Sequence, residues 1–386
     1  MKIVIAIDSF KGSMSSIEAG LAAREGILRA MPDAEVVVKP LADGGEGTTD
    51  ALIEGLSGEC IEVSLTGPYR EAVKAHYGII RGSEGASDMA VMEMAEAAGI
   101  TISDRRDPLT ATTYGVGEMI KDALSRGCRD FIIGIGGSAT NDGGTGMLKA
   151  LGASFTDSDG HDCGEGGAAL SKIESIDISG LDERFRDCRI RVACDVDNPL
   201  CGENGATYIY GPQKGVTGDM KEGLDKAMAH YADVTASVLG KDLREVHGAG
   251  AAGGLGYALI SYLGAELIPG IELIMGAVGL EQELEGADIA ITGEGRLDHQ
   301  TAMGKAPVGV AKLAKRHGCI TIAFAGSVTK EAGACNEAGI DAFFPIVRGV
   351  TKLSEAMDTE TAKANMAAAA EQAARLISSC LSKLLA

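Results

Sequence analysis

Tryptophan is absent, and aromatic residues make up only 4% of the chain. That scarcity excludes the stacking platforms on which single-stranded nucleic acids are bound. Positive charge is also short: 35 Lys and Arg against 55 Asp and Glu leave a net charge of −20. A chain so acidic is not built to hold nucleic acid or an anionic membrane surface. No run approaches the ~18 apolar residues of a membrane span. Met1–Asp8 is a short apolar run cut off by an acid, which reads as a first strand and not as a signal peptide. Nine cysteines are scattered without a CxxC pair, as suits reduced thiols, and no Cys/His cluster has zinc spacing. The expected location is the cytoplasm.

Apolar residues make up 45% of the 386 positions, enough for large cores, and the length sets an expectation of two domains. Glycine is abundant, at 54 residues. Its densest stretch, Gly134–Met147, holds six glycines in fourteen residues, interleaved with Ser138, Thr140, Asn141 and Asp142. It follows the apolar run Phe131–Ile133, a buried strand end. Glycine permits positive φ and close approach of backbone N–H groups, so such a loop suits an anion. It is neither a GxxxxGK[ST] loop nor a GxGxxG turn. A second glycine-rich loop spans His247–Gly256.

The ends of the chain alternate between strand and helix. Ile3–Ile7 reads as a strand, Ser15–Glu18 as a capping box opening a helix, and Glu35–Lys39 as a second strand. Alternation resumes near residue 287 with Ala287–Thr292, Thr321–Ala325 and Phe343–Val347 as strands and an Ala-rich closing helix. The pattern predicts a doubly wound parallel α/β sheet built from residues 1–65 and 286–386, interrupted by an inserted second α/β domain over 66–285. In such sheets ligands sit outside the carboxyl ends of the strands.

Acids and a few cations recur at those ends: Asp8 and Lys11; Asp43 and Glu46; Asp195, Asp197 and Asn198; Glu294, Arg296 and Asp298. Paired carboxylates on a pliant loop suit Mg²⁺, a hard ion that takes oxygen ligands. Arg alone offers a fixed bidentate fork to carboxylate or phosphate. Lys214, in Gly211-Pro-Gln-Lys-Gly215, is a basic finger between turn residues. Together these features predict phosphoryl transfer between a metal–nucleotide and a small anion, held in a cleft between the two domains. A nicotinamide-dependent oxidoreductase would need a GxGxxG after the first strand, and a non-catalytic acid sensor has little use for so many carboxylates.

The ordered motifs carry a resemblance. Asp8-Ser-Phe-Lys11, Ala42-Asp-Gly-Gly-Glu-Gly47, Thr112-Thr-Tyr-Gly115, the Gly134–Gly144 loop, Ala193–Leu200, Gly211–Gly215, Gly250–Gly254 and Ile291–Arg296 with Asp298 are together similar to the bacterial type-1 glycerate kinases, nearly end to end. Ile7 and Cys201 depart from the pattern, where Pro and Thr are expected. The resemblance implies a flavodoxin-like domain interrupted by a second α/β domain. It also implies ATP-dependent phosphorylation of D-glycerate to 2-phosphoglycerate, the alternatives being 3-phosphoglycerate as product or another small hydroxy acid as substrate. On chemical grounds Asp195 is the first choice for proton acceptor and Asp8 the second. Lys11 and Arg296 are expected to bind carboxylate or phosphate. Asp43, Glu46 and Asp298 are expected to hold Mg²⁺. Gly136, Gly137, Ser138, Thr140, Asn141, Gly253, Gly254 and Lys214 are expected at the ATP. Expected partners are ATP and D-glycerate, with a homodimer left open.

Overall fold

The computed structural model describes residues 1–83 and 85–384. Its strands are β1 (Lys2–Ile7), β2 (Glu35–Pro40), β3 (Glu59–Thr66), β4 (Ala72–Ile80), β5 (Met89–Glu93), β6 (Asp130–Gly134), β7 (Ser154–Thr156), β8 (Ser175–Asp177), β9 (Arg189–Ala193), β10 (Glu266–Ile268), β11 (Ile289–Leu297), β12 (Ile320–Val328) and β13 (Ala342–Pro345). The chain divides into two compact units. The first is Met1–Asp43, Asp50–Ser57 and Ile271–Ala386, and the second is Gly44–Thr49 and Gly58–Gly270.

The first unit is a five-stranded sheet in the order β13-β12-β11-β1-β2. Every neighbouring pair is parallel. Counted within the unit, this is the flavodoxin-like order, which reverses direction between β1 and β11. Strand alternation sends Ile3, Ile5, Ile7, Ile291, Ile322 and Phe324 to one face, where they pack with Ala23, Ile27, Met366 and Ala370 of two helices. Those helices are Ser16–Ala30 and Thr359–Leu384. A Cβ on Gly26 would lie 1.9 Å from the Ala367 carbonyl oxygen, so glycine is what lets them touch. Ala323 and Ala325 point to the opposite face, against Val308 and Ala311 of helix Ala306–Arg316. Both faces are covered, as a doubly wound sheet requires. The first helix opens with the predicted Ser15–Glu18 capping box.

One element differs from its prediction in a way that matters for the site. The strand read as Ala287–Thr292 runs on to Leu297, so Glu294 and Arg296 sit in the strand and not in a loop after it. Pairing with β12 continues through Glu294↔Ala325, Arg296↔Ser327 and Leu297↔Val328. Gly293 permits this, because a Cβ there would meet the Phe324 carbonyl oxygen at 2.1 Å.

The second unit carries a six-stranded mixed sheet, β10-β9-β6-β5-β4-β3, and the small pair β7-β8. β5, β6, β9 and β10 are parallel, while β3 and β4 add an antiparallel edge. The expected boundary at 65/66 falls at the end of β3, which pairs along its length with β4, and the second unit therefore takes in Gly58 onward. Residues 271–285 go to the first unit: Ile271 packs on Gly309, and Glu283 pairs with Lys39 at 3.0 Å. Gly44–Thr49 joins the second unit because the buried Glu93 carboxylate accepts N–H bonds from Gly47 (3.3 Å) and Thr49 (2.9 Å).

Candidate active site

The first unit holds a cavity of about 800 Å³ at the carboxyl ends of β1 and β11, the point where strand order reverses. Asp8 follows β1 directly. It is 7% exposed, and its carboxylate accepts the Ser9 N–H at 2.7 Å. Burial first, and the neighbouring Asp43 and Glu294 carboxylates next, push its pKa up to about 7. Glu294 is raised by burial as well, against an opposing hydrogen bond from the Thr301 hydroxyl. Lys11, Arg296 and Lys305 line the same cavity. Lys11 and Arg296 are exposed at its charged wall.

Asp298 also lines the cavity, but its carboxylate caps helix His299–Ala302. One oxygen accepts the N–H groups of Gln300 (2.9 Å) and Thr301 (3.3 Å), and the other lies 3.6 Å from Arg296 Nε. One Asp298 oxygen thus serves as the helix cap, and the other faces Arg296. Asp43 lines the cavity, and Glu46 is an exposed residue of the Gly44–Thr49 segment in the second unit. The structure thus brings together Asp8, Lys11, Asp43, Arg296 and Asp298 of the predicted set. It adds Glu294, Ser13 and a wall formed by the 346–357 segment.

The second unit gathers the glycine loops. Gly136 and Gly137 form an exposed tip at the carboxyl end of β6, and the rest of the loop, from Ser138 to Leu148, is buried. Asp142 holds it in place: its carboxylate accepts Thr113 N and Oγ1 (both 2.8 Å), Gly144 N (3.0 Å) and Gly146 N (3.2 Å). Burial outweighs these bonds and raises its pKa. Asn141 donates to Thr207 Oγ1 at 3.1 Å.

Lys214 is 1% exposed and donates to Ser138 Oγ (2.6 Å) and the Thr140 carbonyl (2.7 Å). Burial pushes its ammonium down to about 7. The expected basic finger is therefore a buried strut beneath the loop. Gly253 and Gly254 lie inside helix Ala251–Tyr262, at φ +69° and +90°. A Cβ on Gly253 would meet the Thr140 carbonyl at 2.1 Å, and Gly143 N donates to the Gly253 carbonyl at 2.9 Å. The two glycine loops use these glycines to pack backbone against backbone. Thr140, Asn141, Gly253 and Gly254 lie in the packed body of the unit, buried from solvent. Asp195 is exposed after β9 and accepts the Gly270 N–H at 2.8 Å.

Comparison with known proteins places this geometry. A family model described as the glycerate kinase family matches residues 3–378. The chain is 49% identical over 360 residues to glycerate kinase of Bacillus subtilis (strain 168), covering 93% of each. It is 48% identical over 358 residues to glycerate 2-kinase of Escherichia coli (strain K12), covering 92% of this chain and 93% of the relative. It superposes on the crystal structure of a glycerate kinase 2 candidate from Salmonella typhimurium LT2 with a TM-score of 0.90, at 45% identity and 99% coverage of both chains.

Proposed function

The chain belongs to the glycerate kinase family, and from that premise we propose that it transfers the terminal phosphoryl group of ATP to D-glycerate, giving 2-phosphoglycerate and ADP. The relative named glycerate 2-kinase, 48% identical, supports the choice of hydroxyl. The observation that carries the chemistry is Asp8, a buried carboxylate with a pKa pushed to about 7 at the switch point of a doubly wound sheet. A base poised near neutral pH is what proton abstraction from an alcohol needs.

In this reading Asp8 accepts the proton of the 2-hydroxyl as the new O–P bond forms and the bond to ADP breaks. It takes that role in preference to Asp195, an exposed carboxylate that accepts the Gly270 N–H and does not line this cavity. Arg296 and Lys11 hold the carboxylate of glycerate and the transferring phosphate, the fork of Arg fixing orientation. Asp8, Asp43 and Glu294, three carboxylates lining one cavity, form an oxygen donor set suited to a hard dication, and the other two raise the pKa of Asp8. Asp43 and Glu294 are the residues that would hold Mg²⁺. When bound, Mg²⁺ neutralises charge on the phosphates. The proposed setting is the cytoplasm; no helix among the described residues is long and apolar enough to cross a membrane.

Asp8→Asn is expected to lower kcat about 10²–10⁴-fold with little change in KM, and Asp195→Asn much less. The reverse ranking would return the role to Asp195. Phosphorus NMR of the product is expected to show coupling to the C2 proton, and coupling to the C3 protons would make the enzyme a 3-kinase.

A further inference from the structure

The cavity at β1 and β11 has a second wall that the proton-transfer chemistry does not use. The segment after β13 supplies Ile346, Val350, Leu353, Met357 and Ala362 to its lining. Val350 is fully exposed and Leu353 is 75% exposed. Scattered apolar side chains in water are ordinary, but here two large ones share one cavity wall, and grouped exposure marks a binding surface. Met357 is anchored, its Cε lying 3.1 Å from where a Cβ on Gly12 would sit. Thr359 Oγ1 ties the following helix to the Ser13 carbonyl at 2.8 Å.

The same end of the cavity holds an unsatisfied group. Ser13 lines it, and Ser13 Oγ is buried with no hydrogen-bond partner. A buried hydroxyl left unpaired costs free energy that a ligand polar atom would recover. At about 800 Å³ the cavity is sized for a drug-like molecule and far exceeds a three-carbon acid. Its occupant has to be anionic at one end, to meet Lys11, Arg296 and Lys305, and broadly apolar at the other.

We propose that the apolar wall formed by Val350, Leu353 and Met357 is the base-binding half of a nucleotide subsite in the first unit, against which the purine ring of ATP lies. Ser13 Oγ then meets a ribose hydroxyl or a ring nitrogen, and the phosphates lie along the charged wall. This rests on ATP being the phosphoryl donor, as proposed above, and it assigns base recognition to residues of the first unit and not to the glycine loops.

The test is photolabelling of the full-length protein with 8-azido-ATP and Mg²⁺, followed by peptide mapping. Label in residues 346–357, suppressed by ATP and not by D-glycerate, is the expected result. Label confined to other segments, the Gly134–Met147 loop included, overturns the assignment. Leu353→Asp and Val350→Asp change exposed side chains and so leave folding intact. Each is expected to raise KM for ATP about tenfold, the effect of losing one good apolar contact, with KM for glycerate within about twofold. Unchanged KM for ATP, or a rise confined to glycerate, overturns the assignment, as it would if the wall covered the acid or met a second copy of the chain. Wild-type turnover is read separately. Label on the segment without phosphoryl transfer to glycerate defeats the kinase reading and upholds the subsite. Normal turnover with label elsewhere defeats the subsite alone.

Discussion

Lys214 is buried to 1% exposure, and its ammonium is pushed down to about 7 by that burial, which the opposing charge of Asp142 offsets only in part. In the unfolded chain the same lysine titrates near ~10.4. Between these values the unfolded state binds a proton that the folded state does not, so stability rises with pH across that window. The full burial penalty is present below about pH 7 and has vanished above about pH 10.5. Lys214→Met keeps the aliphatic volume and removes the titration. From pH 7 to pH 9 the wild type is therefore expected to gain about 2 kcal/mol on the variant, at ~1.4 kcal/mol per unit where the difference in bound protons is complete. Urea unfolding followed by tyrosine fluorescence reads this in the right place. All eight tyrosines lie in the second unit, as does Lys214, and there is no Trp to interfere. Two units need not unfold together, so a signal confined to one of them matters. A difference that stays constant over this range would refute the argument. It would mean that Ser138 Oγ and the Thr140 carbonyl hold the lysine charged in place of water.

The same assay tests how the glycine loops are joined. Gly253→Ala puts a Cβ 2.1 Å from the Thr140 carbonyl at φ +69° and is expected to cost roughly 2–4 kcal/mol. Gly264→Ala, at φ +64° with nothing within 4 Å, carries the backbone strain alone and should cost about 1 kcal/mol. Equal costs would remove the close approach from the explanation. Asp142→Asn turns an NH2 donor toward N–H groups that one carboxylate oxygen now accepts and is expected to cost roughly 3 kcal/mol, read as a lower urea midpoint; an unchanged midpoint would mean the loop does not depend on that carboxylate.

Much of the architecture was legible because it rests on local periodicity. Ile3–Ile7, Glu35–Lys39 and the capping box at Ser15 each announce their element, and their alternation implies parallel strands. What the sequence does not distinguish is the purpose of a glycine. Close approach to a phosphate and close approach to another backbone both forbid a Cβ. Gly136 and Gly137 are open to solvent, Gly253 and Gly254 serve backbone packing, Gly143 makes room for the Tyr231 ring, and all five look alike in the chain. Glu294 was visible as a strand-end acid, but the continued pairing of β11 past Gly293 was not, since Gly-Glu-Gly reads as a loop. The apolar wall at Val350, Leu353 and Met357 left no signal: three residues in a short polar stretch gain meaning only beside Asp8, at the far end of the chain.

The strongest mark of function in the first unit is an expense that stability alone would not retain. Asp8 is buried beside Asp43 and Glu294, and its pKa of about 7 stands well above the ~3.9 of an unfolded chain. The folded state then binds a proton that the unfolded state releases, so stability falls as pH rises from about 4 to about 7 and stays low above that. The ionised carboxylate thus costs up to about 4 kcal/mol at pH 8. Asparagine at this position still accepts the Ser9 N–H and carries no charge. In metal-free buffer Asp8→Asn is therefore expected to raise the calorimetric melting temperature at pH 8 and to match the wild type near pH 4. A variant less stable at both pH values would show that the carboxylate supports the fold through the start of its loop. A variant that gains stability while losing turnover shows a charge kept in place for its chemistry.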